Sequence, residues 1–248
     1  YVTAEYARLV RENTMKNIIT TCCPSVNRLV EIYYPELVDQ MAPVVSPMIA
    51  HARLLKQSIG KNIRVVFVGP CISKKDESAD MRHDTDVDAV LTFDDMASWF
   101  QQEGICVADC KAGKFLNASS KIVRMYPITN GILETLRACG DTGNYHLMSV
   151  DGIGECRDLF EAMKQGQIDH CFIEINACKG GCVNGPAKAK DSTARFHSAI
   201  KVERYARSDA DCYPATPEKL PLSKKFFDRS PHETIPDESV IRSILAKI

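Results

Sequence analysis

The chain has 248 residues, 45% of them hydrophobic and 25% charged, with 31 basic against 32 acidic side chains, which is the profile of an ordinary globular protein and excludes a disordered one. No apolar run approaches the ~18 to 20 residues that cross a bilayer, and a net charge of −1 gives no basic field for a polyanion, so neither a membrane nor a nucleic acid is an expected partner. The unusual count is eleven cysteines. An odd number, in a chain far longer than small disulfide-stapled scaffolds and without a signal peptide, points to metal ligation over a disulfide framework. The chain begins at Tyr1 and ends at Ile248 inside a helical pattern, so it reads as a piece of a longer protein whose flanks hold further domains.

In chain order, residues 3–16 read as a polar-faced helix, and the β-branched run Asn17-Ile-Ile-Thr-Thr reads as a strand ending on Cys22-Cys23-Pro24. Helical periodicity covers Val26 to Ile32 and Pro47 to Ser58, with Gly60 as the stop after the second. Residues 62–69 form a continuous apolar run suited to a strand buried on both faces, which delivers Pro70-Cys71 to its carboxyl end. A strand at 87–91 precedes a helix at 93–102, and 128–139 reads as helix. Strand 146–150, helix 154–165 and strand 170–174 follow, the last leading into Cys178-Lys-Gly-Gly-Cys182. Residues 214–236 hold five prolines among many charges and read as an irregular segment that wraps the core or leads onward. Strand alternating with helix predicts an α/β fold with a mostly parallel sheet. Three times a strand ends in a cysteine set in Pro or Gly turn chemistry, and ligand sites of such sheets lie at strand carboxyl ends, so Cys23, Cys71 and the Cys178/Cys182 pair are expected to meet.

Four thiolates suit an iron–sulfur cubane, in which each iron takes one soft external ligand. Three segments then carry a resemblance. Thr20-Thr-Cys-Cys-Pro-Ser25, Phe67-Val-Gly-Pro-Cys-Ile-Ser-Lys-Lys-Asp-Glu77 and Ala177-Cys-Lys-Gly-Gly-Cys-Val-Asn-Gly185 resemble, in order and spacing, the three active-site signatures of the iron-only (FeFe) hydrogenases. Tyr33-Tyr-Pro-Glu-Leu37 and Ser46-Pro47 resemble the same family between the first two. The resemblance implies a two-lobed α/β domain of mostly parallel sheets flanked by helices, with the cofactor in the cleft between lobes at about 1–60 and 61–210 and a wrapping segment and linker helix at 211–248.

The cofactor so implied is the H-cluster: a 4Fe-4S cubane joined to a di-iron subsite bearing carbonyl, cyanide and a bridging dithiolate, and absent without dedicated maturases. Carried over by position, Cys23, Cys71, Cys178 and Cys182 hold the cubane, and Cys182 also bridges to the di-iron unit. Cys22 is the thiol that relays the proton, suited by an ordinary pKa near ~8.5. Lys74 donates to a cyanide and offsets negative charge, and Glu5 continues the proton path. The reaction implied is reversible splitting of dihydrogen into protons and electrons, in a cytoplasmic enzyme with electron-relay clusters or signalling modules on its flanks.

Four positions depart from the pattern of catalytic members. Gly69 and Asn176 stand where methionines pack on the di-iron unit, Ala42 where a serine extends the proton path, and Met48 where a glutamine lies beside the di-iron unit. These changes resemble the sensory members and imply slow turnover in hydrogen sensing. A relative that keeps a bare 4Fe-4S cubane and serves iron–sulfur protein maturation is the competing expectation, against which Cys22 and Lys74 speak. Cys106 and Cys110 share the spacing of the 178/182 pair but lack its glycines and read as structural thiols, like Cys139, Cys156, Cys171 and Cys212. His51, His83, His146, His170, His197 and His232 have no ligand spacing.

Overall fold

A computed structural model describes residues 1–80, 82, 86–113, 115, 122–140, 142–188, 195–207 and 220–231. The first helix, α1 (Val2–Glu12), turns Val2, Tyr6, Leu9 and Val10 inward along one stripe. It stops short of the expected residue 16 because Asn13 adopts the left-handed conformation and its N–H caps the Leu9 carbonyl. The chain then enters β1 (Ile18–Ile19) and, at Pro24, α2 (Pro24–Tyr33). Proline suits that first helical position, where no N–H is required and φ is already set. A 3-10 turn (Pro35–Gln40) leads to α3 (Pro47–Ser58), which opens on proline in the same way.

The main sheet is parallel, with β5 (Cys171–Asn176) between β1 and β4 (His146–Asp151). Ile18 and Ile19 pair with Phe172 and Ile173, and β4 pairs with all six residues of β5, from His146 on Cys171 to Asp151 on Asn176. Every residue of β5 is buried, since its two faces serve two cores. Phe172 packs with Tyr6, Val10, Ile49, Ile132 and Leu136 from α1, α3 and α6 (Gly131–Ala138). Ile173 and Ile175 pack instead with Val26 and Val30 of α2 and with Leu159 and Phe160 of α7 (Ile153–Lys164).

The second sheet pairs β2 (Val66–Val68) with β3 (Ala89–Leu91), again in parallel. The expected strand at 62–69, buried on both faces, is here three residues long with Val66 and Val68 exposed. Only one of its faces finds a partner: Val65, Phe67 and Val90 join the core of α1 and α3, while α5 (Phe93–Gln102) buries none of its residues. The helix expected from 128 begins at Gly131, after Asn130 takes a left-handed turn. α4 (Ser73–Ser78) follows Cys71, and α8 (Arg195–Arg207) was not anticipated.

Residues 220–231 run extended as a strap. The Leu222 carbonyl accepts from Val45 N–H, Lys224 N–H donates to the Pro43 carbonyl, and Arg229 N–H donates to the Glu31 carbonyl. Cys212, His83, His232, the helical pattern at 238–248 and the rest of 214–236 lie outside the described residues. Among the described residues no helix is long and apolar enough to cross a membrane.

Candidate metal centre

Three loops meet because the backbone lets them approach closely. The Pro70 carbonyl, one residue before Cys71, accepts the Ala187 N–H at 3.0 Å and lies 2.4 Å from where a side chain on Gly185 would begin. Gly181, at φ +86°, sits against Pro127 and Ile128 with the same lack of room, and the Pro127 carbonyl accepts Val183 N–H at 2.8 Å. The Cys178–Cys182 loop is therefore clamped on two sides, and only glycine allows either contact. From the third side, Cys23 and Ala177, the residue before Cys178, pack in the same cluster, which brings the segment after β1 to the start of that loop.

The four thiols lie near enough to act on one another's charge. Burial pushes the Cys23 thiol up, the nearby backbone dipoles of Ala177 and Val26 pull it down, and Cys71 pushes it up again. Cys178 rises to about 11 through burial, Cys23 and Cys71. Cys182 is held well above the usual thiol range by burial, then by Cys23, Cys71 and Cys22, against the pull of Lys74. Among the described residues no three His, Cys, Asp or Glu side chains close up as a single metal ion requires. Four soft donors within reach of one another's charge, with a cation nearby, suit a multi-iron group, whose corners set the sulfurs further apart, better than a single ion.

Cys22 is buried beside these thiols with its sulfur 3.3 Å from the Tyr6 hydroxyl. That hydroxyl also accepts the Thr21 N–H at 3.1 Å, which fixes it beside the sulfur. Burial drives the Cys22 thiol to about 12, moderated by Tyr6 and Lys74, so the protein's own groups do not give the near-neutral thiol that the sequence suggests. Lys74, 7% exposed, donates to the Cys22 carbonyl at 3.2 Å and to Glu77 Oε2 at 2.6 Å. Burial alone would lower its pKa, yet the Glu77 charge and hydrogen bond carry it above the usual lysine value. Ser46 donates to the same Glu77 oxygen at 3.0 Å, and Lys224 stands 3.7 Å from the other.

Glu5, expected to continue the proton path, is one residue from Tyr6 in the chain. It lies on α1 in an ion pair with Arg8 at 2.6 Å, while its neighbour Tyr6 makes the contact to the thiol. Ala42 is fully buried and offers only backbone, its carbonyl accepting from Thr21 Oγ1 at 3.1 Å. Asn176 Oδ1 lies 3.8 Å from the Cys182 sulfur, and a side chain on Gly69 would meet the Phe67 ring at 2.9 Å. Cys106, Cys110 and Cys139 are exposed, and the Cys110 thiol turns onto the Cys106 carbonyl.

Tyr6, Ser46, Lys224 and Glu174 were not anticipated. Glu174 is a fully buried carboxyl whose Oε2 accepts from Ile132 N–H and Leu133 N–H, each at 3.0 Å, while Oε1 has no hydrogen-bond partner. Burial raises it to about 7 despite those donors, and it lies close enough to Cys22 to act on its charge. The one signal for it in the sequence is an acid within the apolar run Cys171-Phe-Ile-Glu-Ile175.

Comparison with known proteins agrees with this geometry. The family model described as "Iron only hydrogenase large subunit, C-terminal domain" matches residues 2–186. Iron hydrogenase 1 of Clostridium pasteurianum is 30% identical over 225 residues, 73% of this chain and 39% of that protein. The periplasmic [Fe] hydrogenase large subunit of Nitratidesulfovibrio vulgaris is 27% identical over 77% of this chain and 58% of its own length. The cytosolic Fe-S cluster assembly factor NAR1 of Encephalitozoon cuniculi is 26% identical over 75% of this chain and 56% of that protein. The chain thus spans less than two thirds of the length of each of these relatives. A solved variant of [FeFe]-hydrogenase HydA1 from Chlamydomonas reinhardtii shares the fold with a TM-score of 0.62 and 18% identity, over 82% of this chain and 70% of that one. With 185 of its residues matched by the family model, the chain belongs to the iron-only hydrogenase large subunit, C-terminal domain family.

Proposed function

We propose that Cys23, Cys71, Cys178 and Cys182 hold a 4Fe-4S cubane, that Cys182 also bridges it to a di-iron subsite with carbonyl, cyanide and dithiolate ligands, and that the domain splits dihydrogen reversibly and slowly in a hydrogen-sensing role. The observation that carries this reading is the convergence of the four thiols with Cys22 and Lys74, two groups that a bare cubane does not need. When bound, the cofactor supplies an open metal position for dihydrogen and a store for electrons. Cys22 holds the transferable proton at Sγ, the Tyr6 hydroxyl fixes that sulfur in place, and Lys74 faces the cofactor's negative charge. The ion pair that holds Glu5 on Arg8 and the purely apolar side chain of Ala42 support slow rather than fast proton delivery.

Electrons leave to relay clusters or signalling modules on flanking segments, maturases install the di-iron unit, and we place the protein in the cytoplasm. Infrared spectra after anaerobic maturation test the reading: carbonyl and cyanide bands are expected, with dihydrogen turnover well below that of a bioenergetic hydrogenase. Bands absent from a protein that retains its cubane favour the second reading, a cluster-carrying factor in iron–sulfur protein maturation. That reading has the support of the likeness to an Fe-S cluster assembly factor and of the polar Asn176 beside Cys182.

A further inference from the structure

The strap at 220–231 lies beyond residues 2–186, where the family match ends, yet it sends one side chain into the charged group behind the metal centre. Lys224 is 6% exposed while its neighbours Ser223 and Lys225 face solvent. A lysine on a surface strap ordinarily keeps its ammonium in water, so burying one requires a partner. Its partner is Glu77 Oε1 at 3.7 Å, an oxygen with no hydrogen bond of its own, while Glu77 Oε2 is taken by Lys74 and Ser46. The Phe226 ring, 5.1 Å from Lys224 Nζ, lines the same spot.

The charges do not cancel. Lys74, Glu77 and Lys224 are each less than a tenth exposed and set two cations against one anion, and the next charges around Lys224, Asp80 and Arg82, add one of each sign, so the excess of +1 stands. Sharing Glu77 between two lysines leaves Lys74 only partly neutralised, and Lys74 is the member that touches the Cys22 carbonyl and acts on the Cys182 thiol. An anion on that side would balance the group, and four thiolates around a cubane are anionic.

We infer that Lys224 is a positioning residue for the cofactor: held on Glu77 by the docked strap, it aims Lys74 at the cluster and supplies the second buried cation that favours the reduced cubane. The inference rests on the cubane of the proposed function and needs no di-iron unit. The strap is thereby part of the metal centre, and the cluster and the strap stabilise one another through Glu77.

The test reconstitutes the cubane anaerobically with iron and sulfide in the full chain and in Lys224→Met, Lys224→Gln and Lys224→Arg, followed by potentiometric titration read by paramagnetic resonance. At the wild-type midpoint the Met and Gln variants should hold a reduced-to-oxidised ratio about tenfold lower, a shift of about 59 mV to more negative potential for one electron, and Arg should stay near the wild type. Loss of the cubane from Met and Gln but not from Arg also supports the assignment, because charge and not size is then required. Unchanged midpoints in Met and Gln, or loss of the cubane from all three variants, overturn it. If the wild-type chain itself takes up no cubane, the proposed function falls and this inference with it; if the wild type titrates and the variants match it, only the inference falls.

Discussion

The two sheets bring the candidate ligand cysteines together from very different supports. The β1-β5-β4 sheet, with cores on both faces, carries Cys22, Cys23 and the Cys178–Cys182 loop at its carboxyl end. The β2-β3 sheet carries Cys71 and Lys74 on a pair of three-residue strands with Val66 and Val68 open to solvent. The proposed cage would have one rigid wall and one lightly anchored wall. Near the thiols, the contacts of Gly185 with Pro70, of Lys74 with Cys22, of Ser25 with Ser73 and of Ser46 with Glu77 hold the second to the first.

The largest expected effect lies in the rigid wall. Phe172 is fully buried on the central strand, edge-on to Tyr6 with ring centroids 5.6 Å apart. Phe172→Ala should cost about 3–5 kcal/mol in urea unfolding, and by freeing Tyr6 it should also loosen Cys22. A loss under about 1 kcal/mol would mean that the first sheet is no better packed than the second.

Next comes a pH effect seated in the same strand. Glu174 ionises near pH 7 in the folded chain against about 4.5 when unfolded, so between those values the folded state keeps a proton that the unfolded state has released. Stability from this group therefore falls as pH rises from about 4.5 through about 7, by an amount of order 3 kcal/mol. Glu174→Gln keeps an acceptor for the Ile132 and Leu133 N–H groups and should remove that slope, making the variant more stable than the parent at pH 8 and similar at pH 4.5. Parallel pH profiles of thermal midpoint for the two proteins would show that the carboxyl titrates alike in the folded and unfolded chain.

Between the walls, Gly185→Ala forces a methyl to within 2.4 Å of the Pro70 carbonyl. The two loops must separate, at a cost of about 1–3 kcal/mol. Because Cys71 follows Pro70, reconstituted iron should fall in the same variant. Full iron content in a stable Gly185→Ala protein would show that the second wall reaches the site without this contact.

What the sequence revealed follows the same division. Helices α3 and α5 have the bounds expected because their starts are written locally: Pro47 follows Ser46, and Thr92 with Asp95 forms a capping box. The cysteines were legible because each sits in Pro or Gly turn chemistry at the end of a strand. The exposure of β2 was not, since an apolar run looks the same whether one face or two find partners, and partners are set by the rest of the fold. α1 was read four residues too long because Asn13 is a weaker written stop than glycine. Tyr6, Ser46 and Lys224 reach the site only through tertiary placement, from a helix, a helix cap and a proline-rich strap with no spacing in common. Glu174 could have been singled out, since an acid inside an apolar strand must either find donors or hold its proton.

The smallest expected effect tests whether the outer face of β2 is as open in solution as it is in the isolated chain. Val66 is half exposed, so Val66→Thr, nearly equal in shape and equally suited to a strand, should change stability by less than about 0.5 kcal/mol. A buried valine loses more than this on the same exchange, because the hydroxyl then needs a partner. A cost above about 1.5 kcal/mol that grows with protein concentration would mean that a second copy covers β2 and stiffens the wall that carries Cys71. A cost of that size without concentration dependence would mean that the face is packed from within the chain. A neutral result leaves the contrast between the walls intact, and with it the expectation that Cys71 and Lys74 depend on their links to Gly185, Cys22 and Glu77 more than on their own sheet.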